Sequence, residues 1–122
     1  MPVRGVRGAT QVEADNREAI SAATQELVSA ILDANPSLAP EDLASVFFTV
    51  TDDLSSNYPA LAARDLPGWQ MVPLLCGREI PVPTGMPRTL RVLMHWNTEL
   101  KQDEIAHVYI GAASRLRPDL ER

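Results

Sequence analysis

The stretch Thr89-Leu90-Arg91-Val92-Leu93-Met94-His95-Trp96-Asn97 is the clearest β-strand in this chain. Side chains alternate between the two faces of a strand, so one face holds Leu90, Val92, Met94 and Trp96, and the other holds Arg91, Leu93, His95 and Asn97. A buried Arg91 must be paired or must serve a ligand, because a lone buried charge is costly. The pattern alone leaves open whether Arg91 lies instead on the solvent face of a half-buried strand.

The most regular element outside this strand is a long amphipathic helix. Four apolar residues recur at the spacing of one helix face: Ile20, Ala23, Leu27 and Ile31. Asp15 and Glu18 form a start that resembles a capping box, and Asn35-Pro36 ends the pattern. These signals predict a helix of roughly 19 residues.

The other segments predict more strands, at 3–12, 45–51, 69–75 and 107–110, with short helical turns near 40–42, 59–66 and 102–106. One long helix with about five strands predicts an α+β fold, a mixed β-sheet packed on that helix. A single helix covers one face of such a sheet, so we expect an oligomer. The length predicts a single domain over residues 1–122, with 116–122 as a flexible C-terminal tail.

Charge and composition exclude several classes of protein. The net charge of −5 argues against a nucleic-acid-binding protein, which normally has a basic face. No apolar run is long enough for a membrane span, and the start of the chain does not read as a signal peptide. A single cysteine forms no internal disulfide, so we expect a cytoplasmic protein. The basic residues are ten arginines and one lysine, which reflects codon bias in a GC-rich genome, arginines that hold planar anions, or both.

Several segments, in order along the chain, resemble the monofunctional, trimeric (AroH-class) chorismate mutase family. They are Val3-Arg4-Gly5-Val6-Arg7-Gly8-Ala9-Thr10, Gly68-Trp69-Gln70, Val72-Pro73-Leu74-Leu75-Cys76-Gly77-Arg78-Glu79, Leu90-Arg91-Val92, His107-Val108-Tyr109 and Leu116-Arg117-Pro118-Asp119-Leu120. The resemblance covers nearly the whole chain. It implies a trimeric pseudo-α/β barrel, with active sites at the subunit interfaces, that rearranges chorismate to prephenate.

The implied reaction is an intramolecular Claisen rearrangement, for which we expect no cofactor, no metal and no covalent intermediate. The resemblance assigns Arg91 to the substrate ether oxygen, and Glu79, helped by Cys76, to the ring hydroxyl. Arg7 and Tyr109 are assigned to a substrate carboxylate. Other positions would line the pocket, lie near its mouth or close over it: Tyr58, Arg64, Leu74, Leu75, Leu116 and Arg117. Leu61 and Leu75 are apolar where relatives can carry polar residues, so we expect an altered pocket rim.

Three other interpretations compete with this one. A trimeric small-metabolite binding or regulatory protein would also have clefts between subunits, but it needs no cation at an ether oxygen. Cys76 as the nucleophile of a thiol or deaminating enzyme lacks a histidine partner at a suitable spacing. A zinc site made of Cys76, His95 and His107 would require ligand spacing that matches no zinc motif.

Overall fold

The structure, a computed structural model, describes residues 1–118. The strands are β1 (Val3–Gln11), β2 (Leu43–Val50), β3 (Leu74–Arg78), β4 (Thr89–Asn97) and β5 (Val108–Tyr109). The α-helices are α1 (Arg17–Ala34) and α2 (Pro59–Arg64), and short 3-10 helices span Pro40–Asp42, Gln102–Glu104 and Gly111–Leu116. The strands form one mixed sheet in the order β3-β2-β4-β1-β5, which confirms the predicted α+β class.

Strand β4 lies at the centre of the sheet. It pairs antiparallel with β1 on one side and with β2 on the other, while β3 and β5 add parallel strands at the two edges. The predicted apolar face of β4 is buried: Leu90, Val92, Met94 and Trp96. We call this side, which α1 covers, the helix face, and the opposite side the open face.

Helix α1 closes the helix face with Ile20, Thr24, Leu27, Val28 and Ile31. Thr24 takes a buried place in the stripe because its hydroxyl donates to the carbonyl of Ile20, at 2.7 Å. The close approach of α1 to the sheet depends on Gly8. A Cβ at that position would lie 2.8 Å from Cδ1 of Ile31 and 3.0 Å from the carbonyl oxygen of Val108.

The start of α1 differs from the prediction. Asn16 is the N-cap residue, and its side chain accepts a hydrogen bond from the N–H of Ala19 at 2.8 Å. Asp15 instead accepts from the N–H groups of Ser55 and Ser56, at 2.9 and 3.0 Å. Those bonds, led by that of Ser55, lower the pKa of Asp15 and tie the loop before α2 to the start of α1.

Strand β3 also differs from the prediction, which placed a strand at 69–75. The strand begins after Pro73, and Trp69 and Val72 fill the core from a turn. Apolar residues at this spacing look like a strand, but here the N–H of Val72 bonds to the carbonyl of Trp69, 3.2 Å away, as in a turn. The strand consequently extends past Leu75, where the prediction ended it, and includes Cys76 and Arg78.

The open face carries an uncovered apolar row. Leu75, Phe47 and Leu93 are neighbours across β3, β2 and β4, and their exposed fractions are 59%, 40% and 39%. Arg7 continues the row on β1, as the strand partner of Leu93. This apolar surface is what an oligomer would cover. No helix among residues 1–118 is long and apolar enough to cross a membrane.

The C-terminal segment begins as folded structure. Leu116 ends the last 3-10 helix and packs on a small cluster formed by Ala9, Tyr109 and Ala113. Residues 119–122 of the predicted tail lie outside the described residues.

A carboxylate clamp fixes the entry to β4. Both oxygens of Asp53 accept from the N–H of Arg88, at 3.1 and 3.0 Å, and Oδ1 also accepts from the Thr51 hydroxyl. Arg88 has a positive φ of 47°, which this clamp holds in place. The Thr51 hydrogen bond, followed by the contacts to Arg88, lowers the pKa of Asp53 below its ordinary 3.8.

We therefore predict that Asp53→Asn lowers the melting temperature at pH 7 by a few degrees. A lowered folded-state pKa means that the ionised carboxylate stabilises the fold above pH 3.8, and that this contribution is lost as the pH falls through the lower folded value. The difference in melting temperature between wild type and Asp53→Asn should therefore become smaller as the pH falls below 3.8. Asp52→Asn is the control, because the Asp52 carboxylate has no hydrogen-bond partner among residues 1–118. A gap that stays constant from pH 7 to pH 3 would contradict the prediction.

Candidate active site

Arg7, Arg91 and Tyr109 line one cavity of about 600 Å³ on the open face. The strand register places them there. Ala9 on β1 is flanked by Arg91 on β4 and by Tyr109 on β5, and Arg7 lies two residues before Ala9 on the same face. The small side chain of Ala9 leaves the space between these larger groups unfilled. Two guanidinium groups and a phenol around one cavity suit an anionic ligand.

The sequence pattern left open whether Arg91 is paired or lies on the solvent face of its strand. In the structure its side chain is both paired with a carboxylate and partly accessible to solvent. Its Nε lies 3.2 Å from Oε2 of Glu79, and the two side chains are 36% and 24% exposed. The hydroxyl of Thr49 donates to the same carboxylate oxygen. Although Glu79 lies just beyond β3, its N–H bonds to the carbonyl of Val50, at 3.0 Å, and this fixes its backbone.

Glu79 and Arg91 also line a second cavity, of about 510 Å³, beneath the proline-rich segment 80–87. Arg91 thus separates two neighbouring spaces on the same side of the sheet. The ion pair of Arg91 and Glu79 lies at the border of these two cavities, and both of its side chains remain partly exposed to water.

Cys76 and Tyr58 lie elsewhere, in a cavity of about 410 Å³ on the helix-face side of β3. Cys76 is the strand partner of Phe48, whose side chain is buried in the main core. Burial raises the pKa of the Cys76 thiol above its ordinary 9.0, so the protonated thiol dominates at neutral pH. The group is suited to act as a weak hydrogen-bond donor rather than as a nucleophile.

The predicted residues therefore form two groups within one chain. Arg7, Glu79, Arg91 and Tyr109 belong to the open face, whereas Cys76 and Tyr58 belong to the other side of β3. The others are dispersed: Leu74 packs on the main core, Leu75 is exposed on the open face, Arg64 is exposed at the end of α2, Leu116 packs near Tyr109, and Arg117 is half-buried.

The two histidines have structural contacts. His107 Nδ1 accepts from the N–H of Arg7 at 3.0 Å, and His95 Nδ1 lies 2.9 Å from the hydroxyl of Ser45. His107 therefore helps to fix the backbone that presents Arg7. Within residues 1–118, no three His, Cys, Asp or Glu side chains are grouped to hold a metal ion.

Sequence reasoning missed the residues that β2 contributes to the site. Phe47 and Thr49 line the cavity of Arg7 and Arg91, and Leu93 completes its wall. The alternation predicted for 45–51 does put Phe47 and Thr49 on the face opposite Val46. Their position next to Arg91 depends on the β2–β4 register, which the local pattern does not specify.

Comparison with known proteins agrees with this geometry. Residues 3–120 match the family model "Chorismate mutase type I". The chain is 56% identical over 119 residues to the chorismate mutase AroH of Thermus thermophilus, covering 98% of this chain and 97% of the relative. It is 42% identical over 120 residues to that of Bacillus subtilis (strain 168), covering 98% and 94%. A solved chorismate mutase from Clostridium thermocellum superposes with a TM-score of 0.86 at 40% identity, over 91% of this chain and 97% of the other.

For Cys76 we predict alkylation by iodoacetamide that is slower than that of a free thiol such as N-acetylcysteine at neutral pH. The rate should rise toward alkaline pH with a midpoint above 9.0, because burial keeps the thiol protonated. Mass spectrometry of the intact chain gives the rate, and Cys76→Ser is the blank because the chain has one cysteine. Alkylation at pH 7 faster than that of the free thiol would instead indicate an activated nucleophile.

Proposed function

The chain belongs to the type I chorismate mutase family, and from that membership we propose how its residues convert chorismate to prephenate. It is a chorismate mutase, an isomerase of aromatic amino acid biosynthesis. The observation that supports our assignment of the site is the open-face cavity shared by Arg7, Arg91 and Tyr109, with Glu79 paired to Arg91.

The reaction breaks one C–O bond and forms one C–C bond within a single molecule. Negative charge develops on the ether oxygen in the transition state, and a fixed cation there lowers the barrier. We assign this role to Arg91. It lies in the central strand, where pairing on both sides holds its backbone, and Glu79 engages its Nε. Among residues 1–118 the guanidinium of Arg91 makes no hydrogen bond: its Nε is buried and only in ion-pair contact with Glu79, and its terminal amino groups are available to the substrate.

Arg7 and Tyr109 are proposed to hold a substrate carboxylate. A guanidinium presents two parallel donors to a carboxylate, and the phenol of Tyr109 adds a third. Both line the cavity that contains Arg91: Arg7 lies on β1, which pairs with the strand of Arg91, and Tyr109 lies on β5, the next strand beyond β1. A local group of cations attracts a dianion even though the chain carries a net charge of −5, because the field near the cavity depends on the nearest charges.

Glu79 is proposed to accept a hydrogen bond from the ring hydroxyl. An ionised carboxylate has acceptor capacity on both oxygens. Thr49 and Arg91 contact Oε2, and Oε1 has no partner among residues 1–118. The free oxygen would orient the ring, while the ion pair keeps Arg91 directed at the breaking bond.

We propose a homotrimer with an active site at each interface. One chain leaves its cavity open on the side of the apolar row formed by Leu75, Phe47 and Leu93. Its Tyr58 and Cys76 line a cavity on the other side of β3, and Glu79 lines a different cavity on the open face. A neighbouring copy would cover the apolar row and complete the pocket. It would supply its own Tyr58, Arg64, Leu74, Leu75 and Cys76, whereas Leu116 and Arg117 would close over the pocket from the chain that provides Tyr109.

The function is tested by incubation with chorismate while its ultraviolet absorbance is followed. Arg91→Gln should lower kcat by roughly 10²–10³, the range typical for loss of a preorganised donor. Arg91→Lys should also be impaired, because an ammonium lacks the planar fork. Arg115→Gln is the matched control, since Arg115 is exposed and lines none of the three cavities described above. A folded Arg91→Gln enzyme with a near-normal kcat would refute the electrostatic role.

For the assembly, sedimentation equilibrium at micromolar concentration should give about three times the chain mass of 13.4 kDa. Leu93→Glu should shift the protein toward monomer, because it places a charge in the apolar row of the open face. Ser29→Glu introduces the same charge on the exposed side of α1 and should leave the trimer intact. A stable wild-type monomer that retains full activity would rule out the proposed interface site.

A further inference from the structure

We infer that Thr49 is a positioning residue for the reaction: its hydroxyl fixes the carboxylate of Glu79 and, through that carboxylate, the guanidinium of Arg91. The inference rests on the proposed function of this site. Thr49 was not among the residues that sequence reasoning assigned to the site, and its hydroxyl donates directly to Oε2 of Glu79.

The location of Thr49 is set by the sheet. It lies in β2, between β3 and β4, where its strand partners are Gly77 and Arg91. Gly77 has no side chain, and the space where its Cβ would stand is open. No group from that position of β3 therefore competes with Glu79 for the Thr49 hydroxyl. Thr49 and Arg91 are neighbours across the strand pair, so one carboxylate oxygen can contact both.

The hydrogen bond from Thr49 to Glu79 determines which atoms of Glu79 and Arg91 form the ion pair. A free carboxylate next to an arginine tends to bind two guanidinium nitrogens through its two oxygens. Here Oε2 accepts from Thr49 and makes an ion-pair contact, without a hydrogen bond, with Nε of Arg91, and Oε1 accepts no hydrogen bond among residues 1–118. The Thr49 hydrogen bond thus opposes a fork-to-fork pairing that would occupy the terminal amino groups of Arg91. Those groups then stay available for the ether oxygen, and Oε1 stays available for the ring hydroxyl.

The fold does not need this hydrogen bond. Thr49 is half-buried on the open face, and the side chain of Glu79 is partly exposed, so water can replace the donor that the carboxylate loses when the hydroxyl is removed. Valine has nearly the same shape as threonine and suits a strand equally well. Removal of the hydroxyl should accordingly leave the fold and assembly intact and change the chemistry.

The experiment compares Thr49→Val and Thr49→Ser with wild type by chorismate kinetics. Hydrogen bonds to charged groups contribute about 1.5–3 kcal/mol. Thr49→Val should therefore lower kcat by roughly 10-fold or more, with KM changed less than about threefold because Arg7 and Tyr109 still hold the substrate. Thr49→Ser retains the hydroxyl and should restore kcat to within about threefold of wild type. Ser45→Ala is the matched control. It also removes a hydroxyl from the open face of β2, but the hydroxyl of Ser45 contacts His95 and not Glu79.

A double-mutant cycle with Glu79→Ala separates positioning from a general structural effect. In the Glu79→Ala background, Thr49→Val should cause no further loss beyond about twofold, because the group that it positions is gone. Thr49→Val activity within twofold of wild type, or an equal loss in both backgrounds, would overturn the inference. Glu79→Ala with full activity would instead refute the proposed role of Glu79 itself. Thr49→Ala provides the same comparison if Thr49→Val does not assemble, with assembly checked by sedimentation.

Discussion

The site depends above all on the pairing of β4 with β1 on one side and with β2 on the other. These two ladders place Arg91 between Ala9 and Thr49, and so bring it to the carboxylate of Glu79 and the cavity of Arg7. A slip of β4 by one residue would turn Arg91 toward α1 and expose its apolar neighbours. An unpaired arginine in that core would be costly, so burial of the apolar face of β4 also enforces the geometry of the site.

The ion pair between Arg91 and Glu79 is better understood through geometry than through stability. Both side chains are partly hydrated, and pairs of this kind contribute little to the free energy of unfolding. The ion pair matters because it fixes the orientation of the guanidinium and of the carboxylate. A guanidinium held at Nε presents its remaining nitrogens to one side, and a carboxylate held at one oxygen presents the other. The sheet thereby provides oriented groups before any substrate arrives, which is the condition for electrostatic catalysis.

Much of this organisation could be predicted from the sequence, and the exceptions have physical causes. The alternation in 89–97 and the stripe of α1 identified the core correctly, because each reports burial through a local period. Asp and Asn are equally common at helix N-caps, so the residue types do not show whether Asp15 or Asn16 caps α1. In the structure Asp15 binds the N–H of Ser55, forty residues away, and Asn16 is the residue that caps the helix. The apolar residues Trp69 and Val72 were predicted to lie in a strand, but they pack into the core from a turn that precedes β3. Thr49 could not be connected to Glu79, because that contact requires the register between separate strands.

Gly8 links the packing of the core to the span across which a substrate would be held. The nearest backbone atom to a side chain at that position is the carbonyl of Val108, next to Tyr109, while Arg7 is the residue before Gly8. A methyl group there would require the side chain of Ile31 to move and the carbonyl of Val108 to shift away from β1. Either movement alters the separation of the two groups that flank the cavity. A substitution at position 8, although it lies on the helix face, would therefore act on the cavity of the open face through the backbone of β1 and β5. The distance between the two groups proposed to bind a carboxylate is thus set in part by packing in the hydrophobic core.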